Sequence, residues 1–280
     1  MYIHNLNPVI FDFGILSLRW YSLAYIFGIL AGWVLAKRFF INNQGVKTKF
    51  DDYVTYLIFG IIIGGRLGYV LFYNLDYYFK NPLDIFKIWQ GGMSFHGGVI
   101  GIIIISVWFA NKNKHIVFNY LDVISLVAPI GIFFGRISNF INAELWGRPT
   151  DMPWGVVFPG EMALDCGLKL GICARHPSQL YEAALEGLIL GIFLIYMVFY
   201  KSVLKKPGLL TGLFFVGYGA SRYFVEFFRQ PDAQFQSPDN PIGYVFYSSH
   251  LGITMGQILS LPMIIIGFIL ILRATNRSKL

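Results

Sequence analysis

The sequence predicts an all-α polytopic membrane bundle of about seven spans with a small extracytoplasmic head. Three observations carry that reading. Of 280 residues, 56% are hydrophobic and only 13% are charged, against about 25% charged in a typical soluble domain. The apolar residues lie in long runs separated by short polar stretches, not in the periodic patterns of half-buried surface elements. Glycine is dense inside the runs, as at Gly60, Gly64, Gly65 and Gly68, where membrane helices pack closely without water to drive them together.

A bilayer core about 30 Å thick needs about 20 apolar residues per helix. Seven windows meet or approach that length: 17–38, 54–74, 95–111, 120–141, 181–201, 208–228 and 252–273. No Lys or Arg precedes Arg19, so the first span lacks the basic n-region of a cleavable signal peptide and is expected to remain. The longest connection, about 142–180, carries Pro149, Pro153, Pro159 and Pro177 with Trp146 and Trp154 and reads as the head. The chain is thus expected to be one integral membrane domain over 1–280 with that head inserted.

Orientation follows from the basic residues of short loops. With the N-terminus outside, the inner side collects Lys37, Arg38, Lys47, Lys49, Lys112, Lys114, Lys201, Lys205, Lys206, Arg273, Arg277 and Lys279, twelve of the 22 Lys and Arg residues. The topology is N-out and C-in, with the head outside. The net charge of +7 therefore reads as topology, and no basic tract calls for a nucleic-acid partner. Cys166 and Cys173 form at most one bridge; on an oxidising side they either pair or remain two thiols.

An ionisable side chain at mid-membrane costs at least about 2.5 kcal/mol, so each one needs a partner or a task. Arg136, Asn139, Asn142 and Glu144 occupy the outer end of the fourth window in GRISNFINAELWGR. Arg136 and Asn139 share a helix face there, and Pro129 one or two turns earlier is expected to bend the helix. In the sixth window Tyr218, Arg222, Glu226 and Arg229 recur at spacings of four, four and three in GYGASRYFVEFFRQPD, one polar stripe on a helix. For Glu226, a self-satisfied pair with Arg222 and a functional role stand level. For Arg222 function is favoured, because a planar guanidinium suits bidentate phosphate binding and two arginines near one membrane face imply an anion between them.

His96 opens the third window between glycine pairs in GGMSFHGGVIG. A lone interfacial histidine is usually a packing residue, yet these glycines permit close approach by a ligand, and neutral imidazole takes a proton near pH 7. Arg66 has two readings, a counter-charge to a carboxylate such as Glu182 or a contact to a lipid headgroup. His4, His115, His176 and His250 sit in terminal, loop or pre-proline contexts and read as structural. No spacing suggests a metal site, and there is no GxGxxG, Walker or GxSxG motif to imply a cofactor or a serine nucleophile.

Taken together, SFHGGVIG, GRISNFINAELWGR, RHPSQLYEA and GYGASRYFVEFFRQPD, in this order and on one predicted side, closely resemble the prolipoprotein diacylglyceryl transferase family. LRWYSLAYIFG and GGRLGYVLFYN extend the similarity over nearly the whole chain. The resemblance implies a bacterial inner-membrane enzyme that moves the diacylglyceryl group of phosphatidylglycerol onto the lipobox cysteine of a preprolipoprotein signal peptide, releasing glycerol phosphate, with no cofactor. It implies catalytic roles for His96, Arg136, Arg222 and Tyr21, and phosphatidylglycerol contacts from Arg136, Asn139, Glu144, Tyr218 and Arg222. Ser138 stands where many members carry glycine, a small enough change that no loss is expected.

That chemistry needs a raised thiolate fraction, since a free thiol of pKa near 8.5 is only a few per cent ionised at neutral pH, and charge stabilisation on the departing phosphate. His96 is either the base or a lipid-orienting group. The rival from another class is a transporter or flippase for an anionic lipid or solute. It lacks the paired broken helices of an internal repeat, and the polar residues collect toward the outer leaflet instead of the midplane. A structural membrane subunit is the second rival.

Overall fold

The computed structural model describes residues 1–12, 14, 17–44, 47–166, 173–231, 235–237, 239, 240, 242–248 and 251–276. His250, Arg277 and Lys279, weighed above, lie outside the described residues. Helices form at all seven predicted windows: α1 (Trp20–Gln44), α2 (Lys47–Tyr73), then after the short α3 (Leu75–Lys80), α4 (Phe95–Lys112) and α5 (Val117–Ile141). After the small α6 (Glu161–Leu164), α7 (Ser178–Glu182) runs through a π-helical segment, Ala183–Ile189, into α8 (Leu190–Lys201); α9 (Leu209–Val225) and α10 (Met255–Asn276) follow. Five stretches, Trp20–Phe39, Lys49–Tyr73, Val117–Ile141, Ser178–Lys201 and Met255–Asn276, are long and apolar enough to cross a bilayer, and His96–Lys112 is a shorter apolar helix. The architecture is all-α and polytopic.

The sequence reading missed three two-stranded ribbons. β1 (Tyr2–Ile3) pairs in parallel with β4 (Val156–Val157), β2 (Val9–Asp12) is antiparallel to β3 (Ser17–Arg19), and β5 (Tyr244–Ser248) is antiparallel to β6 (Leu251–Thr254). The last two ribbons take the opening residues of the first and last predicted windows, so α1 and α10 start about three residues later than hydropathy alone suggests. Hydropathy cannot distinguish an apolar strand end from the helix it leads into.

Contacts divide the chain into two compact units, 1–34 with 125–280, and 35–124. In the first, small residues set the helix contacts. A Cβ on Gly28 would meet Gly131, one on Gly187 would lie 2.7 Å from Phe133, and one on Gly191 would lie 3.3 Å from Pro129. The face of α5 carrying Pro129 and Phe133 is therefore pressed against the π segment and α8. Pro129 lies inside α5, which continues through it. Likewise Gly212 and Gly219 of α9 bring it against Gly267 and Ser260 of α10.

The head segment of this unit has its own apolar core, Val156, Phe158 and Ala163 packed with Phe140, Ala143 and Trp146. His4 is buried there between Phe140 and Phe158, and its Nε2 donates to the Phe140 carbonyl at 2.8 Å. Arg175, also buried, donates to the carbonyls of Gly147, Met162, Ala163 and Asp165 and to Gln230 Oε1, with its guanidinium over Trp146. Cys166 and Cys173 form a disulfide with Cα atoms 5.7 Å apart, which resolves the open alternative between bridge and thiols.

In the 35–124 unit, α2 and α4 meet along Gly60, Gly64 and Gly68 on one side and Gly97 and Gly101 on the other, with backbone against backbone. Ser94 caps α4, its hydroxyl accepting from the Gly97 N–H at 3.2 Å. Arg66 matches neither of its two readings. Its five N–H groups go to the carbonyls of Asp84, Ile85, Lys87, Gly91 and Gly92, so it folds the connection after α3 instead of meeting a carboxylate. His115 sits 2.6 Å from the Tyr120 hydroxyl, a structural contact as expected.

The glycine seam gives a contrast that thermal unfolding of purified protein in detergent can read. Gly64→Ala puts a methyl into the Gly97 carbonyl and should destabilise by about 1 to 3 kcal/mol. Gly98→Ala meets nothing closer than Ile61 at 3.8 Å and should be neutral or stabilising by up to about 1 kcal/mol.

Candidate active site

The contacts of Gly187 and Gly191 with Phe133 and Pro129 decide where the charges fall. One turn further along the same two helices, Glu182 and Glu186 stand beside Arg136 of α5. Residues four apart share one face of a helix, and Glu182 and Glu186 are both fully buried. The stripe of α9 supplies Arg222, and the turn after it supplies Glu226 and Arg229.

Glu182 is the hub. Its Oε1 accepts from Arg222 Nη1 at 3.0 Å and from Arg229 Nη1 at 2.9 Å. Its Oε2 faces Arg136 Nε at 3.0 Å as an ion contact without hydrogen-bond geometry. Arg136 Nη2 also lies 3.8 Å from Glu186, Arg222 Nη2 lies 2.8 Å from Glu226, and Arg229 Nε lies 3.8 Å from Glu226. Tyr218 interacts electrostatically with Arg136, Arg222, Glu182 and Glu186. The side chains of Arg136, Arg222 and Arg229 keep 20%, 18% and 16% of their surface exposed, against 0% for Glu182. Glu182 and Glu186 thus lie behind the arginines, which are the more exposed members of the cluster.

Glu226 closes one edge. Thr254 Oγ1 donates to its Oε1 at 3.1 Å, and the backbone of Gly256 packs against the carboxylate. Thr254 also caps α10: the Gln257 N–H reaches the Thr254 hydroxyl at 3.4 Å, and the Thr254 N–H donates to Gln257 Oε1 at 3.1 Å, a capping box. The pair of Glu226 with Arg222 belongs to this larger network.

Asn139 and Glu144 meet each other where α5 ends. Asn139 Nδ2 donates to Glu144 Oε1 at 2.6 Å, and the Glu144 N–H donates to the Asn139 carbonyl. Ala143 and Leu145 take positive φ values of 55° and 57° to make that turn. The carbonyls of Glu144 and Leu145 then accept from Gln179 Nε2 and Ser178 Oγ, so the strings around Asn139 and Ser178 are two halves of one structure. Tyr21, 3.2 Å from the Tyr25 hydroxyl, lies within electrostatic reach of both Glu144 and Arg136. Six of the residues singled out, Tyr21, Arg136, Asn139, Glu144, Tyr218 and Arg222, therefore belong to one unit. His96 belongs to the other, exposed in the first turn of α4.

Outside the spans, burial pushes the His176 imidazole below its ordinary value, and its Nδ1 stands 3.1 Å from the Tyr181 hydroxyl. Among the described residues no group of three or more His, Cys, Asp or Glu is placed to hold a metal ion.

Residues 8–273 match the family described as prolipoprotein diacylglyceryl transferase. The chain belongs to this family. It is 52% identical to the phosphatidylglycerol--prolipoprotein diacylglyceryl transferase of Roseobacter denitrificans, over 98% of this chain and 97% of that one. The relatives of the same description from Ruegeria pomeroyi and Rhizobium meliloti are 49% and 48% identical, over 96% and 98% of this chain and 96% and 94% of theirs. As a member of this family with several apolar helices, the chain is a multi-pass membrane protein.

Sequence reasoning missed the hub. Glu182 entered only as a counter-charge for Arg66, and Glu186 did not enter at all. The signal was present, since two carboxylates four apart inside an apolar window call for cations as surely as Arg136 calls for an anion. Removing one partner of a buried ion network leaves uncompensated charge, so Glu182→Gln should cost about 3 kcal/mol or more and leave little transferase activity. Thr254→Ala, at the edge, should cost about 1 kcal/mol. Thermal unfolding of the two purified variants checks the order.

Proposed function

We propose that this chain transfers the diacylglyceryl group of phosphatidylglycerol to the cysteine thiol of prolipoproteins, the first step of lipoprotein maturation. The family places it among the transferases. The observation that carries the chemistry is the arginine trio turned outward over buried carboxylates. A phosphodiester needs donors fixed in advance where charge will develop, and guanidinium groups already locked by Glu182 and Glu226 supply them without reorganising.

The reaction forms a C–S bond and breaks the C–O bond between the diacylglyceryl carbon and phosphate. The electron pair of that bond leaves on the phosphate oxygen of glycerol phosphate, and the thiol proton must be taken up. In our reading Arg136 and Arg222 hold the phosphate, with Asn139 and Tyr218 as hydrogen-bond partners. Glu144, exposed and an acceptor when ionised, suits the headgroup hydroxyls, and Tyr21 lies alongside. His96 keeps the role that the resemblance assigns, a neutral imidazole that takes the thiol proton or orients the lipid.

The same reading sets the chain in the bacterial inner membrane as an integral domain, N-terminus out and C-terminus in, with the head outside and the site toward the outer leaflet. Its protein substrate is a signal peptide carrying the lipobox cysteine, and nucleic acid has no part. Both substrates are amphiphilic, which favours lateral entry between helices. The transporter reading is not favoured, since the relatives are transferases by description.

The experiment is mass spectrometry of a lipobox peptide incubated with purified protein and defined lipid. A diacylglyceryl mass increase on cysteine should appear with phosphatidylglycerol and not with phosphatidylethanolamine. Arg136→Ala and Arg222→Ala should each lower the rate by about 10²- to 10³-fold. No increase with any lipid would overturn the reading, and His96→Gln with unchanged rate and pH profile would remove the base role.

A further inference from the structure

A cavity of about 120 Å³ opens beside Arg222, between the turn that ends α9 and the first turn of α10. Arg222, Arg229 and Gln230 line it, with Thr254, Gly256 and Leu259 on the α10 side; Arg136 is not among its walls. Charge at this end favours an anion. Arg148 stands behind Arg229, donating from Nε to the Arg229 carbonyl at 2.8 Å, and interacts electrostatically with Glu226. Arg222 and Arg229 therefore contact Glu226 with Arg148 within electrostatic reach of it, and the other nearby carboxylate, Glu182, is shared with Arg136. Gln230 Oε1 already accepts from Arg175 at 3.1 Å, so its amide N–H groups are the ones left for a ligand. The first N–H groups of α10, a helix of 22 residues, add the positive end of its dipole. Glu226 itself is a wall of the cavity, but Arg222 and the Thr254 hydroxyl hold it.

The transfer reaction yields two products of opposite solubility. The lipidated cysteine belongs in the bilayer, whereas a phosphate monoester carries up to two charges and belongs in water. One site cannot serve both well. Resting on the transfer reading above, we propose that this cavity is a separate product site that takes a phosphate monoester, the released glycerol phosphate, handed from Arg136 to Arg229 while Arg222 keeps hold of it. Arg222 is common to the donor-lipid site and to the cavity, so the leaving group changes partners by exchanging Arg136 for Arg229 without losing its first guanidinium.

The test is titration of purified, lipid-free protein with glycerol phosphate, read by phosphorus NMR or calorimetry, with glycerol as the uncharged control. Wild type should bind saturably, Arg136→Ala should bind nearly as well, and Arg229→Gln should weaken binding by about tenfold or more. Leu259→Trp, a larger side chain on a wall residue outside the ion network, should weaken it likewise and guards against a folding defect in Arg229→Gln. Absence of saturable binding to wild type would overturn the proposal, as would an Arg136→Ala loss equal to that of Arg229→Gln, which would return the phosphate to the headgroup site. The peptide transfer assay on the same preparation separates the two readings. Transfer without glycerol phosphate binding defeats the cavity alone, and binding without transfer defeats the proposed function while leaving a phosphate monoester site.

Discussion

One buried carboxylate organises the charge cluster of the unit formed by 1–34 and 125–280. In a medium without water, an arginine in a span needs an anion or a set of backbone carbonyls, and a buried anion needs cations. Glu182 meets both demands by facing Arg136, Arg222 and Arg229 at once. The small residues of the packing faces are prerequisites for this, because Gly187 and Gly191 let the π segment and α8 come close enough to α5 for the carboxylate to reach. Helix packing and site geometry are therefore the same constraint seen at two depths.

The arginines divide by what they hold. Arg66 and Arg175 spend their donors almost wholly on backbone carbonyls, each folding an irregular connection whose polar groups would otherwise go unpaired. Arg136, Arg222 and Arg229 meet carboxylates and keep part of their surface open. The first kind builds scaffold. The second, pre-paired and outward-facing, is what an anionic substrate can use.

Much of this was legible in the sequence. The length and apolarity of the runs located the helices, and the polar stripe from Tyr218 to Arg229 was readable from spacing alone. Arg66 was not legible, since its partners are carbonyls of a connection whose path depends on turns at Gly91 and Gly92. The Asn139 and Glu144 contact was also hidden, because it depends on two residues of positive φ, Ala143 and Leu145, that no composition rule favours. The ribbons at the starts of α1 and α10 escaped notice because a strand and a helix end of equal apolarity look alike in one dimension.

The π segment Ala183–Ile189 carries a last consequence, for the tolerance of this helix to change in length. A π bulge amounts to one extra residue in an α-helix. Deleting one residue between 187 and 189 would let the helix run as regular α with its flanks still in register, whereas winding the same residues as regular α would rotate everything on the Glu182 side by about 100° relative to Leu190–Lys201. The carboxylates would swing away from Arg136 and toward lipid. At this length, regular helical geometry and the charge cluster exclude each other, so the irregular turn is what keeps the register along an otherwise forgiving apolar sequence.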